Sequence, residues 1–99
     1  MSATDRTVRA MITGRVQGVG FRAFVEREAK ARNLKGWVRN RRDGSVEAAF
    51  SGPTDVVDDM LATCRRGPDY SRVDGVNVET TTEATLQINA GSFAVLPTA

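Results

Sequence analysis

From Val8 onward, apolar and polar residues alternate. Val8, Ala10 and Ile12 fall on one side, and Thr7, Arg9, Met11 and Thr13 on the other. A period of two is that of a strand with one buried face. At Phe21 the period changes. Phe21, Phe24, Val25 and Ala29 recur at i, i+3, i+4 and i+8, the stripe of an amphipathic helix. Glu26, Arg27, Glu28, Lys30 and Arg32 then face solvent, and Asn33 is the stop. Residues 34–40 read as a second strand. Residues 45–51 read as a third, with Val46, Ala48 and Phe50 inward, and the Asp43-Gly44 pair between them is a hairpin signal.

Residues 52–67 are punctuated as a helix. Pro53 suits its first turn, Asp55, Asp58 and Asp59 lie early, Arg65 and Arg66 lie late, and Gly67 follows the end. Val56, Val57, Met60, Leu61 and Cys64 form its apolar stripe. Residues 71–80 read as a fourth strand whose alternation slips between Val73 and Val76, which predicts a bulge near Gly75. Residues 80–91 are polar, without a period, and look peripheral. Residues 92–97 read as a last short strand ended by Pro97, and residues 1–6 as a frayed start. The order is β-α-β-β-α-β plus a terminal strand. That is the ferredoxin-like, split βαβ plan: an α+β sandwich with two helices on one face of a mostly antiparallel sheet.

Composition narrows the chemistry. A chain of 99 residues supports one domain with one core, here residues 1–99. No apolar run approaches the roughly 18–20 residues of a membrane span. The first ten residues have no apolar signal region, so the expected location is the cytoplasm. Cys64 is the only cysteine, which excludes an intrachain disulfide, and its place on a helical stripe suits a buried, inert thiol. There is no histidine. Ser-His-Asp and Cys-His mechanisms are thereby excluded, and a zinc site is disfavoured. A net charge of +2 and a pI near 9.2 suit a small anionic ligand better than nucleic acid, which calls for a clustered basic face.

The joint between the first strand and the first helix, "GRVQGVGFR" at residues 14–22, carries the candidate site. It is no P-loop: Val19 stands at the second glycine position and no Lys-Ser/Thr follows. It is no dinucleotide fingerprint either, since Ala23 holds the third glycine place. Two readings remain, a plain turn or an anion cup. In the second, glycines let successive N–H groups converge at a helix N-terminus, and Arg22 in the first helical turn adds a guanidinium fork. Asn40 has two readings as well. It opens a turn, or its amide holds a water or an oxyanion.

At these residues the chain resembles the acylphosphatase family. "ITGRVQGVGFR" (12–22) and "GWVRNRRDGSVEAAFSG" (36–52) are similar to that family's two signature segments, and residues 65–79 resemble the segment leading into its fourth strand. The resemblance implies a ferredoxin-like fold and metal-free, cofactor-free hydrolysis of a small-molecule acyl phosphate to carboxylate and inorganic phosphate. It implies that Arg22 binds phosphate and that Asn40 orients the attacking water. The backbone amides of Arg15, Val16, Gln17, Gly18, Val19, Gly20 and Phe21 would form the cradle. Other readings keep the fold. One is the acylphosphatase-like module of carbamoyl-transfer maturation proteins. Another is a non-catalytic phosphate-binding domain. A third is an RNA-binding module, disfavoured because the third strand carries one aromatic and a Glu. No nucleic-acid or membrane partner is expected, and the absence of an exposed apolar stripe suits a monomer.

Overall fold

The computed structural model describes residues 5–89 and 91–99. Along the chain lie β1 (Asp5–Arg15), α1 (Phe21–Ala31), β2 (Lys35–Asn40), β3 (Val46–Pro53), α2 (Thr54–Arg66), β4 (Arg72–Thr80), α3 (Glu83–Leu86) and β5 (Ala94–Val95). The sheet order is β4-β1-β3-β2-β5. Every pairing is antiparallel except that of β2 with β5. α1 and α2 cover one face, and the core lies beneath them. Val8, Ala10 and Ile12 of β1 and Val46, Ala48 and Phe50 of β3 meet Val25 and Ala29 of α1 and Val57, Met60 and Cys64 of α2 there, all fully buried. The period-two and period-3.6 stripes of the sequence are the two sides of this layer. Burial pushes the Cys64 thiol up to about 12, against weaker opposing pulls from Arg32 and Arg65, so the thiolate that would make it reactive is absent near neutrality.

Several boundaries differ from the sequence expectation. Asp5 and Arg6 are not frayed: they pair with Pro53 and Gly52, while residues 1–4 of the expected frayed start lie outside the described residues. β1 runs on to Arg15, which shortens the loop before α1 to residues 16–20. Pro53 does not enter the helix. It ends β3 and sits at the N-cap of α2 with extended backbone, so one residue serves as strand end and helix start. The expected bulge is present: Thr13 pairs with Gly75 but Gly14 with Val73, which leaves Asp74 unopposed.

The last strand is two residues long rather than six. Phe93 turns inward to stack on Phe50, at 5.7 Å between centroids, and only Ala94 and Val95 pair with β2. Pro97 has no N–H to continue a ladder. The tail nonetheless follows β2 through Leu96 N–H to Val38 O (2.9 Å) and Ala99 N–H to Asn40 O (3.0 Å).

The segment read as peripheral covers the other face of the sheet. Leu86 of α3 packs with Trp37 and Ala49, and the Trp37 indole N–H donates to Leu86 O at 2.8 Å. Lys35 reaches Glu83 at 2.9 Å, and Ser51 Oγ donates to the same carboxylate. Beside this patch Glu47, 3% exposed, receives Arg9 (2.5 Å), Arg39 (2.7 Å) and Arg41 (3.2 Å). Arg39 also lies over the Trp37 ring at 4.8 Å. Burial raises the cost of the Glu47 charge, but the hydrogen bonds from Arg39 and Arg9 outweigh it, and the carboxyl titrates below its ordinary range. A lowered carboxyl stabilises the fold above its unfolded value of about 4.5, and that contribution is lost as pH falls through the folded value. The melting temperature is therefore expected to drop on acidification below about pH 4.5. Glu47→Gln should flatten that drop while costing about 1–3 kcal/mol at neutral pH, where it removes the shared counter-ion of three partly exposed guanidiniums. Thermal melts of both proteins between pH 3 and 7 check this; parallel acid limbs would refute it.

Among the described residues, no helix is long and apolar enough to cross a membrane.

Candidate active site

The β1–α1 loop is held by one apolar side chain and bent by two glycines. Val16 is 1% exposed and anchors the loop in the core. Gly18 and Gly20 take φ of 75° and 79°, a left-handed conformation that side-chain-bearing residues adopt only at a cost. Neither glycine has a heavy atom near its missing Cβ, so the requirement is one of backbone direction and not of space. Gly20 is the N-cap of α1 and offers no side chain to the first turn, which also lacks an acidic residue.

The consequence is a run of free donors. The first helical bond is Phe24 N–H to Gly20 O at 3.0 Å. Among the described residues no backbone carbonyl accepts from the N–H groups of residues 16–23. Such amides carry partial positive charge and present an anion site at the mouth of the helix.

Two side chains join them. Arg22 in the first turn of α1 and Asn40 at the end of β2 line one concavity of about 490 Å³ with Val16, Gln17, Gly18, Gly20, Phe21, Ala23, Glu26 and Val95. Among the described residues neither the Arg22 guanidinium nor the Asn40 amide has a protein partner. Asn40 is held through its backbone instead, by pairing with Val46 and by Ala99 N–H. Glu26, one turn beyond Arg22 on the same helix face, pairs with Lys30 at 3.1 Å, and among the described residues no ion pair joins it to Arg22.

Of the residues expected from sequence, Val16, Gln17, Gly18, Gly20, Phe21, Arg22 and Asn40 come together here. Arg15 and Val19 do not line the concavity. Arg15 closes β1 opposite Arg72, and Val19 packs against the core. Ala23, Glu26, Val95 and the bonding of the Gln17 side chain were not expected at the site. Glu26 was legible, since it stands four residues after Arg22. Val95 had no such signal. The Gln17 side chain was hidden because its partners are backbone carbonyls: its Nε2 donates to Arg41 O at 2.7 Å and to Ser45 O at 2.8 Å.

Fold and site together define a split βαβ sandwich with a concavity of unpartnered donors at the first strand-to-helix joint. The family model for acylphosphatase matches residues 8–95. An acylphosphatase of Bradyrhizobium diazoefficiens is 57% identical over 93 residues, spanning 92% of this chain and 94% of the relative. Among solved structures, the acylphosphatase of Bacillus subtilis superposes with a TM-score of 0.81 at 36% identity, covering 91% of this chain and 97% of that one. An acylphosphatase of Coxiella burnetii gives 0.85 at 28% identity over 97% of this chain and all of that one. The chain belongs to the acylphosphatase family.

Proposed function

We propose that the protein hydrolyses the carboxyl–phosphate anhydride of small acyl phosphates. The observation that carries this reading is the convergence of three unpartnered groups on one concavity: the loop amides, the Arg22 guanidinium and the Asn40 amide. The amides of residues 16–18, 20 and 21 and the Arg22 fork surround the phosphoryl oxygens and stabilise the charge spread over them. Asn40 orients a water for in-line attack. The water oxygen bonds to phosphorus, the bond from phosphorus to the acyl oxygen breaks, and its electron pair leaves on the carboxylate. That leaving group is weakly basic and needs no acid. The attacking water's proton passes to a phosphoryl oxygen, because a neutral amide is not a base. No step calls for a metal ion.

The RNA-binding alternative would use the sheet face opposite the two long helices. Here that face is occupied by Leu86 of α3 and by the Glu47–arginine cluster, which argues against it. We place the enzyme in the cytoplasm as a single-domain monomer; its one buried thiol suits a reducing compartment. The test is hydrolysis of benzoyl phosphate across pH. A kcat that stays flat near neutrality is expected. A titration in kcat near pH 7 would contradict proton transfer to the substrate, and no hydrolysis at all would overturn the reading.

A further inference from the structure

Gln17 lies in the cup's loop, and its side-chain amide reaches the neighbouring hairpin. Its one amide nitrogen spends both hydrogens there, on Arg41 O and Ser45 O. These two carbonyls form the mouth of the β2–β3 hairpin, directly after Asn40.

Neither side of this contact needs it to keep its own shape. The hairpin mouth is already closed by Arg41 N–H to Ser45 O (2.8 Å) and Gly44 N–H to Arg41 O (3.1 Å). Asp43 caps it by accepting from Ser45 N (2.9 Å) and Ser45 Oγ (2.6 Å). The loop is independently anchored by the buried Val16. What the Gln17 amide adds is the relative placement of the two. It ties the loop carrying the phosphate-facing amides to the strand end carrying Asn40, across 24 positions of sequence.

We propose that Gln17 is a positioning residue that sets the distance between the bound phosphorus and the water on Asn40. This rests on the roles given to Arg22 and Asn40 above. In-line attack is sensitive to that distance, and a misplacement of about 1 Å costs on the order of 100-fold in rate. Phosphate affinity is not sensitive to it, since the amides and Arg22 sit on the loop and helix side of the contact.

The test is a double-mutant cycle. Gln17→Met keeps the length of the side chain and deletes the donors; Gln17→Asn keeps the amide one methylene short. Each is measured alone and combined with Asn40→Ala, with benzoyl phosphate as substrate and inorganic phosphate as competitive inhibitor. Each single Gln17 variant is expected to fold and to lose about 10- to 100-fold in kcat. Its phosphate inhibition constant should stay within about threefold. In the Asn40→Ala background the same change should cost less than about twofold, because the water it would place is no longer held.

A loss of phosphate affinity in step with kcat, full additivity with Asn40→Ala, unchanged kcat, or unfolding of both variants would each overturn the proposal. A wild-type rate in Asn40→Ala alone would instead indict the reading of the site itself. The two failures are therefore separable.

Discussion

Arg22→Ala is expected to lose at least about 100-fold in kcat/KM for benzoyl phosphate, the scale set by removing one preorganised donor from a developing oxyanion. In the proposed mechanism the side chain meets the phosphoryl group before and during transfer. KM and the inhibition constant of inorganic phosphate should therefore rise along with the fall in kcat. Arg22→Lys should restore little. A lysine supplies a point charge, whereas two phosphoryl oxygens call for the paired N–H groups of a planar fork. Neither change should lower the melting temperature much, since Arg22 has no partner among the described residues whose loss the fold would register. Steady-state kinetics beside thermal melts check the two halves of this expectation. A lysine variant near wild-type rate would show that charge alone suffices.

Asn40→Ala is expected to lose a similar factor, about 100-fold, but in a different parameter. In the proposed mechanism its amide faces the water and not the phosphate. The fall should be in kcat, with phosphate inhibition close to that of the unmodified protein. Its backbone pairing with Val46 and Ala99 is indifferent to the side chain, so the strand end should persist. Asn40→Asp tests the same geometry with charge added. A carboxylate that close to a phosphoryl dianion should weaken phosphate binding, which Asn40→Ala does not. Equal losses of phosphate affinity in both variants would contradict the division of labour between Arg22 and Asn40.

The helix-covered layer was legible because its stripes are long and regular. Val8-Ala10-Ile12 and Phe21-Val25-Ala29 each point one way under one period only. The cup was legible in part, since Gly18, Gly20 and Arg22 are types with a clear reason to stand at a strand-to-helix joint. Local spacing left Asn40 undecided between turn and site, and the resemblance supplied its role. What stayed hidden depends on tertiary partners that leave no local mark. Gln17 bonds to carbonyls, which every residue has. Leu86 and Ile88 stand in a polar stretch without a period, and only packing against Trp37 and Ala49 makes Leu86 a core residue. Glu47 and its arginines alternate correctly for a surface face, yet Arg9, Arg39 and Arg41 close over the carboxylate and bury it. The length of β5 was set by Phe93 turning inward, a packing choice that a period cannot encode.

In the proposed mechanism one phosphate sits between the loop amides, Arg22 and Asn40. Titrating ¹⁵N-labelled protein with inorganic phosphate tests it most directly. The largest shifts are expected at the backbone amides of residues 16–22, the Arg22 Nε–H and the Asn40 side-chain amide. They should saturate together at one affinity matching the kinetic inhibition constant. Saturable shifts centred instead on Arg9 and Arg39 across the sheet, with the loop amides unmoved, would contradict it.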